Sequence, residues 1–249
     1  MIGALFSAEQ YGLCKLQLGA GDFCGSRVGL VELGECCRAA GEEAVAGSYL
    51  GASELVRWRA FRLPKRRLEW LGGRIAAKHA AMGLAGAAGP PEWRQWRVEP
   101  LASGRPVLAA GVGVLPRISI SHSHGLAVAL AAAGHCGIDI QQPLAAVLRV
   151  RERFCTAGEE GVLAAALSGI DATSRLTLLW AAKEAVRKAL AMAPLPGFLE
   201  MELLAVNGEP ATVAGLDLRF CRHGQELSLA VAALLVDKLG CALTVRTGK

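Results

Sequence analysis

The chain has 249 residues, of which 53% are hydrophobic and 20% charged, and a formal net charge of +5. That balance excludes a disordered segment and leaves room for one large domain or two smaller ones with a real core. The longest apolar stretch, Gly125 to Gly134, is too short to span a bilayer, and residues 1–25 lack a basic start followed by an apolar run, so a cytoplasmic protein without membrane attachment is expected. Cys14, Cys24, Cys36, Cys37, Cys136, Cys155, Cys221 and Cys241 contain no C-x-x-C pair, which argues against a zinc site and for reduced thiols.

In chain order, Arg27–Leu33 alternates like a strand. Helical patterns follow over Gly51–Phe61 and Lys65–Gly83, and strands over Arg94–Glu99, Arg117–Ser121 and Leu126–Ala132. Arg57, Arg59, Arg62, Lys65, Arg66 and Arg67 crowd together with Trp58 and Phe61. Such a segment can grip a phosphate or an acidic protein, or it can be a solvated helix face. The acidic residues elsewhere weaken the field, so nucleic-acid binding is not expected.

The second half repeats this order. Cys136–Ile140 reads as a strand, then helices over Leu148–Phe154, Ala157–Ser168 and Thr173–Met192, then strands over Glu200–Val206, Leu216–Cys221 and Glu226–Val236. Asn207–Gly208 and His223–Gly224 read as turns. Trp70 precedes Lys78, and Trp180 precedes Lys188, by the same eight residues. The expectation is an α+β fold of two similar subdomains, 1–133 and 134–249, each with helices on an antiparallel sheet. A pseudo-two-fold would relate them, with a ligand cleft between.

Three segments carry candidate chemistry. In Gly137-Ile138-Asp139-Ile140-Gln141, alternation puts Asp139 and Gln141 on one face, where they could converge on a hard cation or simply end an exposed strand. Trp180, Glu184 and Lys188 share one face of their helix, and a Glu–Lys pair at that spacing is also a common surface pair. In Ile118-Ser119-Ile120-Ser121-His122-Ser123-His124, His122 continues the apolar face, either as a structural residue or as a donor to an oxyanion. No G-x-S-x-G elbow accompanies these serines, which argues against a hydrolase.

Their order is more telling than any one of them. Gly104-Arg105-Pro106, then Ser-His-Ser, then Gly-Ile-Asp, then Trp180-x-x-Lys183-Glu184-Ala185-x-x-Lys188 resembles the phosphopantetheinyl transferase superfamily, in its larger pseudo-dimeric, Sfp-type class. Lys65-Arg66-Arg67 leading into Glu69, Gly73, Arg74 and Lys78 is similar to that family's first long helix.

The resemblance implies transfer of the 4′-phosphopantetheine arm of coenzyme A to a serine of an apo acyl or peptidyl carrier protein, with Mg²⁺, releasing 3′,5′-ADP. It implies Asp139 and Glu184 as Mg²⁺ ligands, with Gln141 at a third ligand position that is acidic in many relatives; weaker Mg²⁺ binding is therefore expected. His122 and Ser121 would meet the phosphates, and Lys188 would neutralise the pyrophosphate. Arg105 would lie near the 3′-phosphate, with Lys65, Arg66 and Arg67 as further candidates and Lys183 also near the cofactor. Glu184, a metal-bound water or Lys188 could take the serine proton, and Glu159 is a lesser acidic candidate. A monomer is expected, because one chain supplies both halves of the cleft. The alternatives are a non-catalytic CoA- or nucleotide-binding paralogue and a nucleic-acid-binding module.

Overall fold

The computed structural model describes residues 25–38, 41–85, 92–109, 115–190, 192, 194–207, 214–222, 225–236 and 239–246. Among the cysteines, positions 14 and 24 lie outside them, as do Gly208, His223 and Gly224 of the expected turns.

Strand β1 (Ser26–Glu32) is followed by helices α1 (Leu33–Arg38), α2 (Glu42–Tyr49), α3 (Ala52–Arg59) and the long α4 (Pro64–Ala85). A ribbon of β2 (Arg97–Pro100) and β3 (Pro106–Ala109) leads into the hairpin β4 (Arg117–Ser123) and β5 (Leu126–Ala132). The hairpin turns on His124 and Gly125, both at positive φ, 48° and 81°, as a tight two-residue loop between right-twisted strands requires. β5 lies between β1 and β4 in a three-stranded antiparallel sheet.

After β6 (His135–Gln141) come α5 (Ala146–Val150), α6 (Ala157–Ala166) and the long α7 (Ala172–Leu190). Strands β7 (Met201–Asn207), β8 (Ala214–Arg222), β9 (Gln225–Val236) and β10 (Leu239–Arg246) complete a five-stranded antiparallel sheet in the order β6-β10-β9-β8-β7. The fold is α+β, with helices on antiparallel sheets. No helix among the described residues is long and apolar enough to cross a membrane.

The apolar run of β5 is explained by burial on both faces. Ala127, Ala129 and Ala131 pack with Leu71, Ile75 and Ala76 of α4, whereas Val128 and Leu130 pack with Ile138 and Ile140 of β6 and with Cys241 of β10. The alanines keep α4 close to its sheet. The larger side chains fill the space between the two sheets.

Each half is framed by one buried ion pair of the same construction. In the first, Lys78 of α4 donates to Glu54 and to the carbonyl of Tyr49, while Glu54 accepts from the amides of Gly51 and Val98. In the second, Lys183 of α7 pairs with Glu159 at 2.6 Å and donates to the carbonyl of Phe154, while Glu159 accepts from the amides of Thr156 and Leu203. The lysine and its carbonyl are 29 residues apart in both halves, and the glutamate and its strand amide 44 in both. Each glutamate sits in the first turn of its helix, α3 or α6, where a carboxylate satisfies free N–H groups. Burial pulls both lysines below their ordinary pKa, and the partner carboxylate opposes it. The internal repeat therefore matches Lys78 to Lys183, which corrects the correspondence with Lys188 drawn from the tryptophan spacing.

The structure adds α1, α2, β3 and β10 to the expected elements and shifts the start of β2. The expected strand from Arg94 begins as a 3-10 turn, Trp93–Gln95. Helix α2 carries Gly47 and Ser48, which weaken its helical pattern. Strand β10 follows β9 after two residues, so that the periodicity of the two strands runs together.

Candidate functional site

The site begins with a close approach. A Cβ on Gly137 of β6 would lie 1.8 Å from the carbonyl oxygen of Ala185 on α7, so only glycine lets this strand rest on this helix. Two residues on, Asp139 is only 3% exposed. Lys188 reaches it from α7, donating at 2.7 Å to Asp139 Oδ1, 2.8 Å to the carbonyl of Ile138 and 3.3 Å to that of Ile120. The three donors of the ammonium are thereby engaged.

Strand β4 supplies the other side. Ser119 Oγ accepts from the Ile138 amide at 3.1 Å and Ser121 Oγ from the Ile140 amide at 3.3 Å; Ser121 also donates to Asp139 Oδ1 at 2.8 Å. Serine hydroxyls thus join the free edge of β6 to β4. Gln141 donates through Nε2 to Asp139 Oδ2 at 2.9 Å, since its amide oxygen would repel a carboxylate there. Asp139 is held by three side chains from three elements.

Glu184 stands one turn before Lys188 on α7, and its Oε1 accepts from Arg187 at 2.8 Å. Among the described residues no group of three or more His, Cys, Asp or Glu side chains is placed to hold a metal ion. The buried thiols of Cys136 and Cys241 are pushed up to about 12 by burial and serve as neutral packing groups.

Two cavities flank this centre and share Gly104, Pro106 and Ile120. One, of about 460 Å³, lies between Arg105, Ile118, Arg187, Lys188, Met192 and Leu195. The other, of about 370 Å³, is lined by Arg57, Arg66, Arg74 and His122, with Glu69 as its acidic member. His122 Nδ1 is 3.7 Å from Glu69 Oε1. Burial lowers the His122 pKa, more than Glu69 raises it, so the ring is a neutral N–H donor at pH 7. Arg74 stacks 3.4 Å above the ring of Trp70, with a buried Nε that has no hydrogen-bond partner among the described residues. Burial lowers its pKa to about 9, which leaves it charged at neutral pH.

The expected site residues therefore separate. Asp139, Ser121, Gln141 and Lys188 meet in one network. Arg105, Arg66 and His122 line the cavities. Lys65 is 89% exposed beside Glu69, and Arg67 is spent on a two-bond pair with Glu42 over Trp58, so neither lines a cavity described here. Lys183 is 0% exposed and pairs with Glu159 in the buried frame, and neither lines a cavity described here. Ser121 Oγ is engaged with Asp139 and the Ile140 amide, and Gln141 Nε2 with Asp139. Arg57, Arg74 and Arg187 were not among the expected site residues; the guanidinium beside Trp70, one turn on, was the one available signal for Arg74.

The sequence profile of the 4′-phosphopantetheinyl transferase superfamily matches residues 135–237, the part that contains Asp139, Glu184 and Lys188. A holo-[acyl-carrier-protein] synthase of Cupriavidus taiwanensis is 39% identical over 114 residues, which cover 40% of this chain and 81% of that protein. The chain belongs to the 4′-phosphopantetheinyl transferase superfamily. The synthase of Cupriavidus necator matches to the same extent, 39% over 114 residues. A holo-(acyl-carrier-protein) synthase structure from Bacillus anthracis, in complex with CoA, overlays 43% of this chain and 92% of its own, at 24% identity and a TM-score of 0.39. As a member of this superfamily the chain is a transferase, and the profile match falls in the second of its two framed halves.

Proposed function

We propose that this transferase moves 4′-phosphopantetheine from coenzyme A to a serine of an apo acyl or peptidyl carrier protein, with Mg²⁺, and releases 3′,5′-ADP. The observation that carries the reading is Lys188: it binds Asp139 on the floor between the two sheets and faces the cavity that Arg105 also lines. A fixed cation beside a hard carboxylate suits a pyrophosphate, the group this reaction breaks.

The serine oxygen forms a bond to the pantetheine-bearing phosphorus as the bond to the bridging oxygen breaks, and the electron pair leaves with 3′,5′-ADP. Positioning and charge neutralisation dominate such transfers. Lys188 neutralises charge at the pyrophosphate, His122 donates an N–H to phosphate oxygen, and Arg105, Arg66 and Arg74 favour the remaining phosphate. Lys188 is already a three-fold donor, so the serine proton goes to Glu184 or to water.

The donor chemistry of the site fits Mg²⁺. Asp139 and Glu184 offer hard carboxylate oxygens, and Mg²⁺ is commonly held by one or two carboxylates with substrate phosphates and water. Bound there, the ion would neutralise the bridging and leaving oxygens. Gln141 takes the role of an orienting partner for Asp139 through its N–H. In this reading both halves, 1–133 and 134–249, contribute walls to the cleft of a cytoplasmic monomer.

Incubating the protein with CoA, Mg²⁺ and apo carrier proteins of fatty-acid, polyketide and nonribosomal systems should add phosphopantetheine to the carrier serine, read by mass spectrometry. Asp139→Ala and Glu184→Ala should each lower the rate by roughly 10²-fold or more with an unchanged circular dichroism spectrum. No transfer to any carrier, or near-native rates in both variants, would overturn the reading.

A further inference from the structure

Arg187 lies beside the motif residues of α7 and does three things with one planar group. Its Nη1 donates to Glu184 Oε1 at 2.8 Å, its Nε donates to the carbonyl of Pro196 at 2.9 Å, and its guanidinium carbon lies 4.5 Å from the ring centre of Phe198. Phe198 in turn packs 4.6 Å from Trp180, one turn before Glu184 on the same helix. The segment so held is not remote: Pro194 and Leu195 form a wall of the 460 Å³ cavity, together with Arg187 and Lys188. Arg187 is only 20% exposed, and its Nε and Nη1 donors are committed to these two partners.

A guanidinium is rigid and planar, and its Nε and Nη1 move together. Displacing Pro196 or Phe198 therefore tilts the group that fixes Glu184 Oε1. Glu184 Oε2 has no hydrogen-bond partner among the described residues. A carboxylate held by one oxygen and open at the other is presented as a ligand, and partners that hold ligands in this way tune affinity from outside the site.

We propose that Arg187 is a positioning residue: it aims Glu184 at the cation and, through the same guanidinium, holds residues 194–198 as a wall of the cleft, so that cation affinity and wall position are coupled. The inference rests on Glu184 being a cation ligand, as in the proposed function.

The test reads binding, not turnover. Mn²⁺ is titrated into the protein with CoA and no carrier, and bound ion is followed by electron paramagnetic resonance. Arg187→Met should weaken Mn²⁺ about tenfold. Phe198→Ala, which touches no ligand, should weaken it about threefold, and the double variant should be no weaker than Arg187→Met alone. Arg187→Lys keeps the charge without the planar fork and should fall between native and Arg187→Met; should Arg187→Met fail to fold, this variant and Phe198→Ala decide in its place. Native affinity in either of those two, or additive losses in the double variant, would overturn the coupling. A native protein that binds Mn²⁺ no better than Asp139→Ala would remove the cation site itself and this inference with it.

Discussion

The two halves share a frame and differ in what the frame carries. Gly29 of β1 would place a Cβ 2.1 Å from the carbonyl of Ala76 on α4, two residues before Lys78. Gly137 of β6 meets Ala185 on α7, two residues after Lys183, so the strand crosses its helix about one turn farther along in the second half. Two residues past the first glycine stands Val31, and two past the second stands Asp139; both are buried. Farther along α4 is His79, packed on Trp93 at 4.3 Å with Nε2 3.0 Å from the Tyr49 hydroxyl, while α7 supplies Lys188 to Asp139. The same strand-on-helix packing thus holds a sealed apolar core in one half and a charged network at a cavity in the other. The packing glycine, the buried lysine and the first-turn glutamate are shared architecture, and an aspartate–lysine network is built on it in the second half.

The sharpest way to break this comparison is to remove the shared element from each half. Lys78→Met and Lys183→Met both strand a buried glutamate, and each should cost about 3–5 kcal/mol in urea unfolding, by similar amounts. A loss in one half below about 1 kcal/mol would show that the two pairs are not equivalent.

The next test separates the halves by pH. Burial lowers the His79 pKa to about 4 from an ordinary value of 6.5. The unfolded chain therefore binds the proton more readily. Stability from this group is fully present above pH 6.5 and is lost as pH falls toward 4, amounting to about 2 kcal/mol by pH 5. His79→Phe should flatten this part of the profile; an equally steep fall in the variant would assign it elsewhere.

The smallest effect belongs to the second half. Gln141→Glu replaces the amide that donates to Asp139 with a third carboxylate, and the midpoint for Mg²⁺ in the transfer assay should move down a few-fold, about 1 kcal/mol. An unchanged midpoint would leave Gln141 as an orienting group alone.

Much of this was legible in the residues. The alternation of β4 and β6 fixed their faces, and the ordered motifs brought Asp139, Glu184 and Lys188 under one reading. What the sequence hid were partners distant along the chain. Lys183 reads only as a motif lysine because nothing nearby announces Glu159 or the carbonyl of Phe154. The tryptophan spacing paired Lys78 with Lys188, since periodicity records helix faces and not which carboxylate lies beneath them. Arg67 and Arg66 are neighbours with opposite fates, one bound to Glu42 and the other lining a cavity, and only packing decides between them.

The serines of β4 have one more consequence. A strand edge is an invitation to another strand as long as its amides are free. On β6 the amides of Ile138 and Ile140 are already taken by Ser119 and Ser121, so this border of the five-stranded sheet is closed to extension. A chain approaching Asp139 from that side therefore cannot lengthen the sheet at β6.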